Sequence, residues 1–241
     1  MKNIQGAGIP IIYWYGTSGN NQVLIMELLG PNLEKVLKDF DRKFFSHTVI
    51  TIGLQVLKLI EYLHSRNYIH RDIKPENFVL GLEKKSKTIY MIDFGLARLY
   101  QNTTSKLHIP YRDNRSFIGT ARYSSINAHI GVEQSRRDDI EGFLYMLIYF
   151  FKGSLPWQGI KGYKKREKQQ KIMDHKMATP IELLCKDLPK ELSGLLYYAR
   201  GLKFEEAPDY RYFRRALLKM LNKDSFNIEL SFEKPPTVNL L

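Results

Sequence analysis

Two segments decide how this sequence folds and works: His70-Arg71-Asp72-Ile73-Lys74-Pro75-Glu76-Asn77 and, further along, Asp93-Phe94-Gly95. Asp72 offers a carboxylate that can act as a base, and Lys74 offers a cation two residues later. Asn77 and Asp93 offer hard oxygen donors, which suit Mg²⁺ because this ion binds one or two protein carboxylates together with waters and phosphate oxygens. We therefore predict that the two segments form one metal-assisted catalytic site.

The order and spacing of these residues are those of the catalytic loop and the metal-binding loop of protein kinases. Phosphoryl transfer requires a carboxylate to orient the attacking hydroxyl, oxygen ligands for magnesium and a cation near the transferred phosphate. A polar turn would explain either segment alone, because Asp and Gly are common turn residues. Two ordered motifs in the expected context make coincidence improbable, so the sequence predicts an ATP-dependent kinase.

Length and composition set the remaining bounds. The 241 residues, 44% of them hydrophobic, suffice for one large or two small globular domains. Cys185 is the single cysteine, which excludes an intrachain disulfide, and its apolar neighbours favour a buried structural thiol. Neither a signal peptide nor a membrane span is predicted. The expected location is the cytoplasm, the nucleus or both.

The formal net charge of +12, from 37 basic and 25 acidic residues, implies an anionic partner. Basic residues are densest over 161–171, where an exposed helix face explains them better than a nucleic-acid code does. Nucleic-acid binding is an alternative suggested by this charge and by 15 Tyr and 13 Phe residues. Most of these aromatics fall in apolar helices, however, and no nucleic-acid signature is evident.

Hydrophobic periodicity predicts the order of the elements. Strands are predicted at 9–15, 23–27, 78–80 and 89–92, and the first two should form a hairpin. Helices are predicted to start at Pro31-Asn32 and to cover 46–64, with Ser46 as the cap, and then about 138–152, 163–177, 189–202 and 209–222. A long functional loop is expected over 96–130, and an irregular tail at the end of the chain.

Four further motifs follow Gly95. They are His108-Ile109-Pro110-Tyr111-Arg112, Gly119-Thr120-Ala121-Arg122-Tyr123-Ser124-Ser125-Ile126-Asn127, Glu133-Gln134-Ser135-Arg136-Arg137-Asp138-Asp139 and Gly153-Ser154-Leu155-Pro156-Trp157-Gln158-Gly159. Ser125-Ile126-Asn127 stands where most protein kinases carry Ala-Pro-Glu. Together with Met26-Glu27-Leu28-Leu29-Gly30-Pro31, which resembles a hinge, these motifs resemble the casein kinase 1 family of Ser/Thr kinases. The likeness extends from about Gly8 to Asn222.

This resemblance implies an α+β, protein kinase-like fold that uses ATP and Mg²⁺. Residues 31–241 would form a mainly α-helical C-lobe, and residues 1–30, with two strands and the hinge, would be the remnant of a truncated β N-lobe. Backbone groups of Glu27 and Leu29 would contact adenine. Val79 and Ile92 would form the apolar floor beneath the adenine ring, and the motifs around them favour this role over the alternative, plain core packing.

The resemblance also implies how substrates are chosen. Arg122, Gly159 and Lys168 match the family's anion pocket, which recognises a phosphate or an acidic side chain upstream of the target Ser or Thr. The Arg guanidinium can donate two parallel hydrogen bonds to phosphate oxygens, and Lys adds a point charge. Taken singly, Arg122 could be a solvated surface residue, and another Lys of the basic run could replace Lys168. The expected partners are acidic or phosphorylated proteins, with no specific nucleic acid, and a monomer is expected.

Other implied roles concern charged residues around the catalytic loop. Arg71, Arg98 and Arg115 would form a second basic site. Asp139 would hold the backbone of the catalytic loop, while Asp138 and Asp139 also suit the cap and first turn of a helix. Lys35 departs from the family pattern, which has an acid near the ribose, and this puts a ribose contact there in doubt.

The sequence before the hinge has no glycine-rich phosphate loop, no Val-Ala-Ile-Lys-like strand and no helix with the partner Glu. Two strands without their neighbours should expose unpaired edges and apolar faces. The favoured hypothesis is a casein kinase 1-like enzyme whose given sequence starts late. The alternative is a pseudokinase or a non-catalytic interaction module.

Overall fold

The computed structural model describes residues 4–221 together with Leu230 and Phe232. Its helices are α1 (Leu33–Asp39), α2 (Ser46–Ser65), α3 (Ile126–His129), α4 (Arg136–Lys152), α5 (Lys165–Ala178), α6 (Ile181–Leu184), α7 (Glu191–Gly201) and α8 (Tyr210–Met220). Its strands are β1 (Ile12–Ser18), β2 (Asn21–Met26), β3 (Tyr68–Ile69), β4 (Phe78–Leu80), β5 (Ile89–Met91) and β6 (Arg98–Leu99). This mixture of helices and small sheets is the α+β arrangement that the sequence predicts.

Helix α4 lies at the centre of the helical part. Every side chain from Asp138 to Phe150 is buried, as expected for a helix that is surrounded on all sides. Helices α2 and α7 pack against α4, and α8 packs against α2 and α7. The core that these helices enclose supports the loops of the catalytic site.

Helix α4 begins two residues before its predicted start. Ser135 precedes the helix, and its backbone N–H donates to the Asp138 carboxylate at 2.7 Å. Asp138 is therefore the third residue of the helix and closes a capping box, so neither it nor Asp139 is the cap. Burial raises the pKa of Asp138 to about 7, against the effect of the hydrogen bond from Ser125.

Helix α2 confirms the predicted amphipathic segment, which was placed at 46–64. The prediction that Ser46 caps this helix is wrong, because Phe45 occupies the cap position and makes no side-chain cap hydrogen bond. The ring of Phe45 stacks on that of His47, with the centroids 5.8 Å apart. An aromatic contact thus accompanies the start of this helix in place of a hydroxyl cap.

Strands β1 and β2 form the predicted hairpin, but β1 continues to Ser18 and the turn is shorter than expected. Gly19, with φ +58°, allows the tight connection to Asn21. Large apolar side chains are exposed along and beside the hairpin, as the sequence predicted: Ile11, Tyr13, Trp14, Tyr15, Leu24 and Ile25. The hairpin is therefore only partly covered by the described residues.

The predicted loop over 96–130 contains two short elements that the sequence did not predict. Strand β6 pairs with β3 in antiparallel register, and α3 ends the segment. The sequence also missed α6, because a single helical turn has no hydrophobic period. Cys185 follows α6 and is buried as predicted, which raises its pKa to about 11.

Two predictions concern the end of the chain and membranes. The last part of the predicted helix at 209–222 and most of the predicted tail lie outside the described residues. None of the described helices combines the length and the apolarity needed to cross a membrane.

Candidate active site

The backbone of the catalytic loop is held by Asp139 from α4. Its Oδ2 accepts the His70 N–H at 2.7 Å, and its Oδ1 accepts the Arg71 N–H at 2.8 Å. Nε2 of His64, at the end of α2, contacts the same Oδ2 at 2.9 Å. Burial alone would raise the pKa of Asp139, but the hydrogen bonds from His64 and from the His70 backbone contribute to outweighing it, and that pKa lies below its usual range. A buried carboxylate therefore fixes the loop one residue before Asp72.

Arg71 adopts a left-handed backbone with φ +66°. This conformation is unusual for a residue with a long side chain and persists where surrounding contacts enforce it. The two bonds from Asp139 supply that constraint, and Nε of Arg71 donates to the Leu96 carbonyl at 2.7 Å. The strained turn directs the chain so that Asp72 follows in a fixed position.

Asp72 is 7% exposed and is held by three neighbours. Thr120 donates its hydroxyl to Oδ1 at 2.7 Å, and Lys74 forms an ion pair with Oδ2. The Asn77 amide donates to the Asp72 carbonyl at 2.8 Å and to Oδ2 at 3.3 Å. The predicted catalytic residues Asp72, Lys74 and Asn77 are thus brought together, with a carboxylate of fixed orientation at the centre.

Thr120 can reach Asp72 because the preceding residue is glycine. Gly119 has φ +106°, and a Cβ there would lie 2.6 Å from the Arg71 carbonyl oxygen. Any larger residue would push this segment away from the catalytic loop. Gly119 therefore allows the segment carrying Thr120 to pack directly on the turn at Arg71.

Ile92 joins the two backbone segments that carry the predicted metal ligands, Asn77 and Asp93. Its N–H donates to the Asn77 carbonyl at 2.9 Å, and its carbonyl is 3.1 Å from Nε2 of His70. Asp93 follows with a left-handed backbone, φ +60°, and one of its carboxylate oxygens accepts the Gly95 N–H at 3.3 Å. These contacts place the Asp93 turn beside the catalytic loop.

The donor set fits a magnesium ion that also binds phosphate oxygens. Nδ2 of Asn77 donates to Asp72, so Oδ1 of Asn77 is the side-chain atom that could bind a metal. Asp93 adds an exposed carboxylate. No group of three His, Cys, Asp or Glu with metal-binding geometry occurs among residues 4–221, Leu230 and Phe232.

Val79 lies between the predicted hinge and β5. Leu80 accepts the Gly30 N–H at 2.8 Å and donates to the Pro31 carbonyl at 3.0 Å, while Val79 pairs with Tyr90 on its other side. Val79 is buried and Ile92 is half-buried. This strand therefore forms a continuous surface next to the hinge.

The hinge residues Glu27 and Leu29 differ in their contacts. The Glu27 backbone N–H donates to Ile11 at 2.8 Å, and its side chain accepts from Lys85 at 2.8 Å, which lowers the pKa of Glu27. Leu29 makes no backbone hydrogen bond within the described part of the chain. The Leu29 backbone thus remains open to a ligand, whereas the Glu27 N–H is occupied.

Arg122 is half-buried, and its guanidinium lies over the rings of Tyr123 and Tyr149, at 5.7 and 5.8 Å. Nε1 of Trp157, two residues before Gly159, donates to the Arg122 carbonyl at 2.8 Å. Gly159 is exposed, with φ +82°. Lys168 is exposed on α5, and no described hydrogen bond or ion pair joins it to Arg122.

Arg71, Arg98 and Arg115 cluster as predicted, but around a carboxylate that the sequence analysis missed. Glu133 is 4% exposed and accepts from Arg98 at 3.0 Å and from Arg115 at 3.2 Å. Burial, followed by the charge of Arg98, lowers the pKa of the Arg71 guanidinium. Three cations around one carboxylate leave an excess of positive charge beside the catalytic loop.

The sequence reasoning missed three residues of this site, namely His64, Thr120 and Glu133. Thr120 and Glu133 lie inside the motifs at 119–127 and 133–139, whereas His64 ends a helix whose only local signal is its apolar face.

The family comparison agrees with the geometry. The model of the protein kinase domain matches residues 1–225 of this chain.

Proposed function

Because this chain belongs to the protein kinase family, we propose that it is an ATP-dependent Ser/Thr kinase of casein kinase 1 type that favours acidic or already phosphorylated proteins. The observation that best supports transfer to a hydroxyl is the fixed Asp72 carboxylate beside Asn77 and the Asp93 turn. Support for the casein kinase 1 type comes from Ser125-Ile126-Asn127 and from Arg122 beside the turn of Trp157.

The proposed reaction uses the positions of these side chains. A substrate hydroxyl bound against Asp72 gives its proton to the carboxylate as the oxygen attacks the γ-phosphorus of ATP. The bond from that phosphorus to the bridging oxygen breaks, and ADP leaves. Lys74, paired with Asp72, stabilises negative charge on the transferred group. Magnesium, held by Asn77 and Asp93, would neutralise phosphate charge when bound.

The nucleotide would lie between the hinge and the strand of Val79. Leu29 would offer its backbone to adenine together with the Glu27 carbonyl, and Val79 and Ile92 would pack beneath the ring. Buried apolar side chains beside free backbone groups are the usual construction of such a pocket. We also propose that the lobes divide near residue 30, where Gly30 and Pro31 hydrogen-bond to Leu80.

Asp93→Asn tests the metal site. We expect the variant to need at least about tenfold more Mg²⁺ for half-maximal phosphate transfer, with kcat lower by about 10²-fold, because an amide is a weaker ligand than a carboxylate. A Mg²⁺ titration of peptide phosphorylation measures both values. Asp41→Asn is the matched control, since Asp41 is also an exposed aspartate with a left-handed backbone. Unchanged Mg²⁺ dependence in Asp93→Asn would remove Asp93 from the metal site.

Arg122→Ala tests the substrate preference. We expect kcat/KM for a peptide with a phosphoserine upstream of the target to fall about tenfold or more, with less than about threefold change for the unphosphorylated peptide. The reason is that Arg122 contributes charge-assisted hydrogen bonds only when an anion is present. Arg211→Ala, at an exposed position of α8, serves as the control. Equal losses on both peptides would contradict the pocket.

A further inference from the structure

Lys176 is a fully buried cation on a helix that is otherwise largely exposed. Its Nζ donates to the Ala121 carbonyl at 2.9 Å and also to the Ser124 carbonyl. The ammonium lies 4.8 Å from the ring centroid of Tyr145 and 5.1 Å from that of Trp157. Burying a lysine is costly, and the two carbonyls and two aromatic rings offset that cost.

The two carbonyls that Lys176 binds lie on either side of Arg122. The carbonyl of Arg122 itself accepts from Trp157, and that of Ala121 is also 3.1 Å from Nε2 of His129. Side chains from three separate parts of the chain, namely α3, the segment between α4 and α5, and α5, thus contact the backbone over 121–124. Lys176 is the only one of these three that contacts the segment on both sides of Arg122.

The charges that face Lys176 are Glu141 and Arg200. Glu141 accepts from the Tyr145 hydroxyl at 2.6 Å and pairs with Nε of Arg200 at 3.4 Å. The Glu141 charge is therefore shared, and burial lowers the pKa of Lys176 to about 7. The same cation lowers the pKa of His129, already reduced by burial, to about 4. His129 is thus neutral near pH 7. Lys176 is only partly protonated at that pH, and its amino group can donate to the two carbonyls whether or not it is charged.

We propose that Lys176 is a positioning residue for substrate recognition, which holds Arg122 in place for the phosphate of a phosphorylated substrate. Lys168 lies eight residues earlier on α5, about 12 Å along the axis. Helix α5 therefore carries Lys168, one cation of the proposed anion pocket, and through Lys176 it holds the backbone beside Arg122, the second cation. This inference rests on the proposed function, and it adds a residue that neither touches the substrate nor takes part in the chemistry.

The test compares Lys176→Met and Lys176→Gln with the unaltered protein. Met keeps the length of the side chain without a donor, and Gln keeps a donor without the charge. We expect Lys176→Met to raise KM for the phosphoserine peptide about tenfold. Its kcat, and its KM for the unphosphorylated peptide, should change less than about threefold. The KM of Lys176→Gln should lie between those of Lys176→Met and the unaltered protein. Lys58→Met, at an exposed position of α2 away from the basic run, is the control.

A second measurement does not depend on catalysis. Fluorescence polarisation of a labelled phosphoserine peptide without ATP should show the same loss of affinity, and thermal unfolding reports whether each variant is folded. If Lys176→Met does not fold, the milder Lys176→Gln carries the comparison. If the folded variants still prefer the phosphoserine peptide as strongly as the unaltered protein does, or if kcat falls equally on both peptides, the role of Lys176 is overturned while the proposed function stands. No discrimination by the unaltered protein overturns the proposed substrate class and, with it, this inference.

Discussion

Asp72→Asn is expected to lower kcat for peptide phosphorylation by about 10³-fold while KM for ATP changes little. The Asn amide cannot take the hydroxyl proton. The substitution also removes the negative charge of the carboxylate that pairs with Lys74 and accepts the Thr120 hydroxyl. Steady-state kinetics with an acidic serine peptide measures this loss. The shape of the site should survive, because Asn has nearly the size of Asp.

Two controls separate lost chemistry from lost structure. Asp187→Asn changes an exposed aspartate with a left-handed backbone, which Asn also adopts readily, and it should leave kcat unchanged. The thermal unfolding of Asp72→Asn should stay close to that of the unaltered protein. Normal turnover in a folded Asp72→Asn variant would mean that Asp72 is not the base.

The largest expected loss of stability follows from Asp139→Asn. The Asp139 carboxylate contacts the backbone N–H groups of His70 and Arg71 and the ring of His64, all in a buried position. An amide has one acceptor oxygen, so its NH₂ group must face one of these donors. We expect the free energy of unfolding to fall by about 3 kcal/mol, as for other buried charged networks that lose one member. Urea denaturation measures this change.

The same substitution should also lower turnover, because the strained turn at Arg71 loses the contacts that enforce it. The expected loss in kcat is about 10²-fold, less than for Asp72→Asn, since the base itself is still present. Asp187→Asn again provides the control for removing a negative charge. A stability within about 0.5 kcal/mol of the unaltered protein would show that Asp139 does not hold this loop.

Much of the fold could be predicted because local patterns carry it. The apolar runs beside the catalytic motif predict the bounds of β4 correctly and those of β5 to within one residue. The long helices followed from their hydrophobic period, and errors lay at their ends. Helix α4 starts before its prediction because a capping box at Ser135 and Asp138 sets the boundary, whereas periodicity reports only the interior.

The rest of the site depends on contacts between distant segments. Lys176 lies in a helix full of exposed basic residues, so nothing local distinguishes it from a solvated lysine. Only the packing of α5 on Tyr145 and Trp157 buries it. Glu133 and His64 are similar cases, because their partners lie tens of residues away and a single sequence does not indicate which charges meet.

Phosphate transfer itself is the most direct test of the central claim. The purified 241-residue protein is incubated with ATP labelled at the γ-phosphate, Mg²⁺ and an acidic peptide that contains both serine and tyrosine, and the phosphorylated amino acid is then identified. We predict Mg²⁺-dependent label on serine, and none when Asp72→Asn replaces the unaltered protein. Label on tyrosine would contradict the Ser/Thr assignment. Absence of label on any residue would contradict the proposal that these 241 residues transfer phosphate and would favour the non-catalytic alternative.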